Sequence, residues 1–190
     1  MFLRKPAITS DPLAVTMTGV RMGERLLQIG GIDAKLAAQL AAKPGMSGHV
    51  AIVVTNDRDA ERARAAAAQT GALVDVRSAP IGALPFGAGE FDVVVLHGAA
   101  GALAPLDASA RARTLSEMHR VLREGGRIVA LDPGAPTGLS ALLRSAPAVD
   151  PGYDASGGTI AALEAAGFRP VRLLADREGT RFIEGIRPGL

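Results

Sequence analysis

The segment 91–134 reads FDVVVLHGAAGALAPLDASARARTLSEMHRVLREGGRIVALDPG. Its first part, Phe91 to Leu96, is an apolar run typical of a strand that is covered on both faces. Asp107 to Glu124 then carries apolar residues at helical spacing and ends at two glycines, and Arg127 to Leu131 forms a second apolar run. Strand, helix and strand in this order predict a parallel pair of strands joined by a right-handed crossover.

The same alternation of strand and helix continues upstream of this segment. Apolar runs bounded by turn residues predict three earlier strands, over Arg25 to Ile29, His49 to Val54 and Leu73 to Val76. Helical spacing and capping residues predict the helices around these strands, over Leu13 to Thr18, Ile32 to Leu40 and Asp57 to Gln69.

Downstream, a final helix is predicted over Gly157 to Ala166, followed by two strands over Val171 to Leu174 and Phe182 to Ile186. About half a dozen polar residues separate these strands, which favours an antiparallel hairpin. We therefore predict one α/β domain over residues 1–190, a Rossmann-like, doubly wound, seven-stranded sheet that is mostly parallel with a C-terminal antiparallel hairpin. Residues 1–24 would form an N-terminal helix and lead-in, and residues 135–156 an irregular insertion rich in Gly, Pro and Ser.

Composition excludes several classes of function. Aromatic residues make up only 3% of the chain and the arginines are scattered, so the sequence predicts no nucleic-acid binding by base stacking or by a basic stripe. Cysteine is absent, which excludes disulfides and cysteine nucleophiles, and the separated histidines predict no metal site. No apolar run is long enough for a signal peptide or a membrane span, which predicts a cytoplasmic protein without a membrane partner.

The first strand-to-helix turn is the natural place for a ligand in such a sheet. Ligands bind at the carboxyl ends of the strands, where the winding direction reverses. Here the turn reads Gln28-Ile29-Gly30-Gly31-Ile32-Asp33-Ala34. Glycine permits close approach of the backbone, and the amides of a helix N-terminus favour negative charge.

Two further stretches resemble one known family. Leu84-Pro85-Phe86 followed by Phe91-Asp92 is similar to the "LPF…FD" segment of the class I S-adenosylmethionine (SAM)-dependent methyltransferases of the small-molecule type. Residues 117–129, EMHRVLREGGRIV, resemble the same family's "E-x-x-R-V-L-x-x-G-G-x" passage from helix to strand. The resemblance covers nearly the whole chain and implies the methyltransferase fold, with SAM as the cofactor. These motifs belong to the scaffold and say little about catalysis.

The resemblance also implies cofactor-binding positions, and several are altered. The first loop of the family typically reads acid-x-G-x-G-x-G. Here Gln28 takes the place of the acid and Gly30 that of the first glycine, whereas Ile32 and Ala34 stand where the family has its second and third glycines. A β-branched residue at the second position should narrow the space for the methionine end of the cofactor.

Two more acids of the family are replaced. The acid that holds the ribose hydroxyls corresponds to Val54, and the acid near the adenine corresponds to Pro80. Asn56 and Asp57 could substitute for the ribose acid only if the turn is remodelled. We therefore expect weak or absent SAM binding. The implied cofactor-binding residues lie at or after the carboxyl ends of the first four strands: Gln28, Gly30, Gly31, Asp33, Thr55, Asn56, Asp57, Ile81 and His97.

Three other residues are candidates for contact with substrate, and none is assigned as catalytic. His97 follows the fourth strand and is either a general base or a locally hydrogen-bonded residue. Asp132 ends the fifth strand and is either catalytic or part of an ordinary Asp-Pro-Gly turn. Tyr153, the only tyrosine, lies where the family often builds substrate pockets. His49 and His119 are assigned to structure.

Two functions of different classes remain. The first is methyl transfer from SAM to an unknown small molecule, in which proximity and orientation supply most of the catalysis. The second is a non-catalytic module that has kept the methyltransferase fold for binding or assembly with a protein partner. The sequence names no substrate and leaves homodimer formation open.

Overall fold

A computed structural model describes residues 12–30, 33–97, 102–133 and 151–189. Its strands, in chain order, are β1 Arg25–Ile29, β2 His49–Val54, β3 Asp75–Ser78, β4 Phe91–His97, β5 Leu122–Pro133, β6 Val171–Arg177 and β7 Thr180–Ile186. Its α-helices are α1 Leu13–Met17, α2 Ala34–Ala41, α3 Asp57–Thr70, α4 Ala108–Val121, α5 Pro151–Ala155 and α6 Gly158–Ala165, and a 3-10 turn, Gly45–Ser47, precedes β2.

All seven strands form one sheet in the order β3-β2-β1-β4-β5-β7-β6. Strands β1 to β5 pair in parallel, whereas β7 runs antiparallel to both β5 and β6. This arrangement confirms the predicted fold class, including the C-terminal hairpin. From β1 the chain continues to β2 and β3 at one edge of the sheet, and it then returns to β4 on the other side of β1 and continues to β5. The winding direction therefore reverses between β1 and β4.

The core lies on both faces of the sheet. On one face, Leu27 and Ile29 of β1 pack in a cluster with residues of α4 and α6, including Leu115 and Leu163. On the other face, Leu26 packs in a cluster with residues of α1 and α2. Coverage of both faces explains why β2 and β4 read as continuous apolar runs rather than as alternating ones.

Several element bounds differ from the predicted ones. Strand β3 begins at Asp75 rather than at Leu73, and the Leu73 side chain is 87% exposed. Helix α4 ends at Val121 rather than at Glu124, because Leu122 adopts an extended backbone and pairs with Phe91. A local apolar pattern does not reveal such a pairing between distant residues.

The C-terminal hairpin is longer than predicted. Strands β6 and β7 are joined by the two residues Glu178 and Gly179, both with positive φ (55° and 70°), rather than by a polar loop. Two successive residues with positive φ match the twist of the flanking strands and suit a two-residue hairpin. Asp132 and Pro133 pair with β7, so β5 continues past its predicted end at Leu131, whereas Gly134 of the predicted Asp-Pro-Gly turn lies outside the described residues.

Part of the predicted organisation lies outside the described residues. This holds for residues 134–150, which make up most of the predicted insertion 135–156, and for residues 1–11 of the lead-in. The last residues of the insertion are helical rather than irregular, since they form α5. Within the described ranges, no helix combines the length and the apolar character needed to cross a membrane.

Candidate functional site

The carboxyl ends of β1 and β4 meet at the point where the winding reverses. Gly30 follows β1, and His97 is the last residue of β4. The backbone at Gly30 has a φ of 115°, and a Cβ there would lie 2.0 Å from the carbonyl oxygen of His97. Glycine is therefore required by close contact with the neighbouring strand. The Gly30 amide donates to the Val53 carbonyl at 3.2 Å, so this amide is occupied within the sheet.

Gln28 is fully buried between β1 and α2. Its Nε2 atom donates to the Ala37 carbonyl at 2.9 Å, which ties the strand to the helix. Its Oε1 atom is buried and has no hydrogen-bond partner among the described residues. A buried acceptor without a donor is costly, so this oxygen is a candidate contact for a ligand group that donates.

Asp33 begins α2. Its carboxylate accepts from the amides of Lys35 and Leu36 at 3.0 and 3.1 Å, which is the ordinary role of an N-cap. The predicted contacts Gly31 and Ile32, between Gly30 and this cap, lie outside the described residues.

At the end of β2, one buried apolar residue is followed by exposed polar residues. Val54, at the position of the ribose acid, is fully buried and packs in a cluster with Ala60 and Ala63 of α3. Asn56 caps α3 by accepting from the Asp59 amide at 3.0 Å, and its Nδ2 donates to the Asp59 carboxylate at 2.9 Å. Asp57 lies exposed in the first turn of the same helix.

Beside the end of β2 lies a cleft of about 680 Å³, here called the strand-end cleft. Its lining comes from the end of β2, the segment after β3 and the start of α4: Thr55, Ser78, Ala79, Pro80, Ile81, Gly82, Ala83, Leu106, Ala110, Arg113 and Thr114. It brings together the predicted contacts Thr55 and Ile81, together with Pro80. Gln28, Gly30 and His97 are not part of its lining. The mostly apolar wall and the few hydroxyl groups are typical of a small-molecule site.

The end of β5 carries a buried chain of hydrogen bonds. The Thr159 hydroxyl donates to the Asp132 carboxylate, and the Tyr153 hydroxyl is hydrogen-bonded to Thr159 in turn. Arg181 of β7 lies 4.0 Å from the same carboxylate. Asp132 and Tyr153, predicted separately, are thus joined through Thr159. Sequence analysis missed Thr159, because no spacing or motif links it to residues so far along the chain.

Arg111 of α4 completes the surroundings of Tyr153. Its guanidinium lies 4.2 Å from the centre of the tyrosine ring, and it donates to the Leu103 and Leu106 carbonyls. Burial raises the pKa of Tyr153 to about 12, so the phenol is neutral at pH 7. Both side chains line a second cavity of about 600 Å³ between α4 and α6, where six of the twelve lining residues are alanine.

The three histidines differ in their surroundings. His97 is buried at the carboxyl end of β4. His49 begins β2 and stacks on Phe91, with ring centres 6.3 Å apart. His119 packs against Phe168 at 5.1 Å, and burial together with the charge of Arg187 lowers the pKa of this histidine. The contacts of His49 and His119 agree with the structural roles expected for them.

A family model described as a methyltransferase domain matches residues 27–130, more than half of the chain. The chain belongs to the class I SAM-dependent methyltransferases. The matched range contains Gln28, Gly30 and the strand-end cleft.

Two curated relatives are similar to about two thirds of this methyltransferase domain. An uncharacterized protein of Mycobacterium tuberculosis is 34% identical over 123 residues, which cover 64% of this chain and 41% of that protein. A ubiquinone/menaquinone biosynthesis C-methyltransferase of Teredinibacter turnerae is 31% identical over 124 residues, covering 64% and 48% respectively. The chain thus spans less than half the length of these relatives.

Solved structures share the fold of this methyltransferase domain. A SAM-dependent methyltransferase from Aquifex aeolicus superposes with a TM-score of 0.69 at 17% identity, covering 90% of this chain and 86% of that one. The structure described as PigF with SAH superposes with a TM-score of 0.62 at 20% identity, covering 86% and 50%.

Proposed function

We propose that the chain transfers a methyl group from SAM to a small molecule, with the cofactor lying along the carboxyl edge of the sheet from β1 to β3. The observation that carries this proposal is the strand-end cleft of about 680 Å³ beside Thr55, Pro80 and Ile81. The family resemblance assigns the adenosine end of the cofactor to these same positions.

The residues fit SAM in part. The apolar wall of the cleft, with Ile81 and Leu106, suits a purine, and the Thr55 and Ser78 side chains supply hydroxyl groups. The unpartnered Oε1 of Gln28 suits an ammonium group of the methionine end. The Val54 side chain, in contrast, offers no acceptor to the ribose. Loss of the hydrogen bonds to the acids replaced by Val54 and Pro80 weakens binding by about one to three orders of magnitude, so a dissociation constant of about 1 μM would become about 0.01 to 1 mM.

SAM supplies an electrophilic methyl group when bound, so the protein has to orient the acceptor and manage its proton. Orientation alone accounts for a large share of the acceleration in such reactions. Asp132 is the carboxylate at the carboxyl edge next to β4, and the Thr159 hydroxyl holds it in place. For a hydroxyl or amine acceptor, the Asp132 carboxylate takes up the proton that the acceptor loses.

The first experiment is isothermal titration of the full chain with SAM and with S-adenosylhomocysteine, at two temperatures to avoid an accidental zero in enthalpy. Saturable binding below about 1 mM supports the proposal. The variant Ala110→Trp fills the cleft, and we expect it to weaken binding at least tenfold. Ala112→Trp is the matched control, since Ala112 lies on the same helix but outside the cleft lining. No heat from folded protein, or equal effects of both variants, would overturn the proposal.

The second candidate function is a non-catalytic module. The replacement of two acids by Val54 and Pro80 favours it, because neither side chain accepts a hydrogen bond. It predicts no binding of either cofactor form by folded protein. In that case the search moves to a protein partner.

A further inference from the structure

A proline lies on the part of the strand-end cleft that the proposed function assigns to the purine. Pro80 follows β3 by two residues and lines the cleft beside Ala79 and Ile81. The family resemblance gives this position to the acid near the adenine. A proline side chain accepts no hydrogen bond, and its backbone nitrogen carries no hydrogen. The Pro80 side chain therefore offers only apolar surface where the family binds the amino group on carbon 6 of the purine.

The backbone around Pro80 is hydrogen-bonded within the protein. The Ala79 amide donates to the Val54 carbonyl at 2.9 Å. The Ala83 amide donates to the Pro80 carbonyl at 3.1 Å, which closes a turn over residues 80–83. Both carbonyls thus have a donor without any ligand, so neither is reserved for a purine amino group.

Two carboxylates that flank the cleft lining in sequence are bound to other groups. Asp107 caps α4 by accepting from the Ala110 amide at 2.7 Å. Glu117 accepts from the Leu84 amide at 2.7 Å and pairs with Arg120 at 2.7 Å. Neither carboxylate is among the described residues that line the cleft, so neither takes the place of the acid that Pro80 replaces.

The polar side chains on the described lining can all donate a hydrogen bond: Thr55, Ser78, Thr114 and Arg113. A hydroxyl rotates, so it either accepts from an amino group or donates to a carbonyl oxygen, and an arginine only donates. A carboxylate only accepts, so it binds an amino group and repels a carbonyl oxygen. These four side chains therefore do not select a 6-amino purine, such as adenine, over a 6-oxo purine, such as hypoxanthine.

We propose that the strand-end cleft binds 6-oxo purine nucleosides as well as it binds adenosine, with Pro80 as the specificity-determining residue. The Ile81 and Leu106 side chains contact either base through apolar surface, since the two purines have nearly the same shape. The inference rests on the proposed function in placing the purine of the cofactor in this cleft.

The test is isothermal titration of the full chain with S-adenosylhomocysteine and with S-inosylhomocysteine, in which an oxo group replaces the amino group on carbon 6. We expect the two dissociation constants to agree within about threefold, because neither ligand leaves a charged protein group without a partner. An acid at position 80 would favour the adenosine form by at least about tenfold, because the oxo group would leave that carboxylate facing an acceptor.

Pro80→Asp restores the acid at an exposed position, and aspartate is common as the first residue of a turn. This variant should prefer S-adenosylhomocysteine by at least about tenfold. Pro85→Asp is the matched control, because it makes the same exchange at an exposed proline of the same loop, outside the described cleft lining. Its two dissociation constants should stay within about threefold of each other.

The outcomes separate this inference from the proposed function. A preference above about tenfold for either ligand in the wild type would overturn the inference and leave the proposed function standing. The same holds if Pro80→Asp and Pro85→Asp show equal ratios of affinity for the two ligands. No binding of either ligand by folded protein overturns the proposed function and the inference together.

Discussion

At the scale of single residues, Tyr153 is a sensitive probe of the site, because it is the only tyrosine in a chain without tryptophan. Its hydroxyl is buried against Thr159, and burial raises its pKa to about 12. We expect the phenolate absorbance of the folded protein to develop only near pH 12, whereas the chain in denaturant should titrate near pH 10. A spectrophotometric titration under both conditions measures the difference.

The raised pKa of Tyr153 also predicts how the unfolding free energy changes as the pH rises. The folded state holds the phenolic proton more tightly than the unfolded state, so this contribution is fully present below about pH 10 and is lost as the pH rises toward 12. Tyr153→Phe should remove this part of the decline in unfolding free energy. A phenol that titrates near pH 10 in the folded protein would mean that Tyr153 is solvated, and would contradict the Thr159 contact.

At the scale of elements, Asp92 holds three strands together at their amino ends. Its carboxylate accepts from the Arg25 amide at 2.8 Å and from the Arg123 side chain at 2.5 Å, which connects β4 with β1 and β5. Burial by itself would raise the pKa of Asp92, but the hydrogen bonds from Arg123 and Arg25 outweigh it and lower the pKa. We expect Asp92→Asn to lower the unfolding free energy by about 1 to 3 kcal/mol at pH 7.

The lowered pKa of Asp92 predicts the pH range in which the wild type and Asp92→Asn lose their difference in unfolding free energy. A carboxyl with a lowered folded-state pKa contributes stability above its unfolded pKa and loses it as the pH falls through the folded value. Urea unfolding at several pH values should therefore show the wild type and Asp92→Asn converging below about pH 4. Asp75→Asn is the control, because the Asp75–Arg77 pair is exposed and should contribute less than about 1 kcal/mol. A gap that stays constant down to acid pH would contradict this role for Asp92.

The elements also show how far sequence reasoning reaches. The bounds of β1 and β2 match those predicted, because an apolar run between turn residues is a local signal. The predicted bounds of β3 are wrong, because Leu73 belongs to an apolar run in the sequence but is exposed in the structure. The contact of Thr159 with Asp132 and the cleft around Arg113 could not be predicted, since they depend on packing between distant elements.

At the scale of the whole molecule, the two edges of the sheet have different characters. The carboxyl edge carries the candidate site, whereas the amino edge carries exposed apolar side chains. Met22, ahead of β1, is 81% exposed, and Met46, ahead of β2, is 100% exposed. Met22 lies beside Gly45, the residue before Met46, since a Cβ on Gly45 would lie 3.8 Å from Met22 Cγ. Met118 of α4, in contrast, is fully buried in the core.

This contrast predicts the order of methionine oxidation. Among the methionines that the structure describes, peroxide should convert Met22 and Met46 before Met118, because a thioether must be accessible to react and Met118 becomes accessible only when the whole domain opens. Peptide mass spectrometry over time measures the order. Oxidation of the two exposed residues should leave the melting temperature and any SAM binding unchanged, since neither side chain lies in the core or at the carboxyl edge. The double variant Met22→Leu and Met46→Leu should remove the fast oxidation of the peptides that contain these two residues and leave the slow oxidation of Met118 unchanged. Fast oxidation of Met118 in the folded protein would contradict the packing of α4 on the sheet, on which the strand-end cleft also depends.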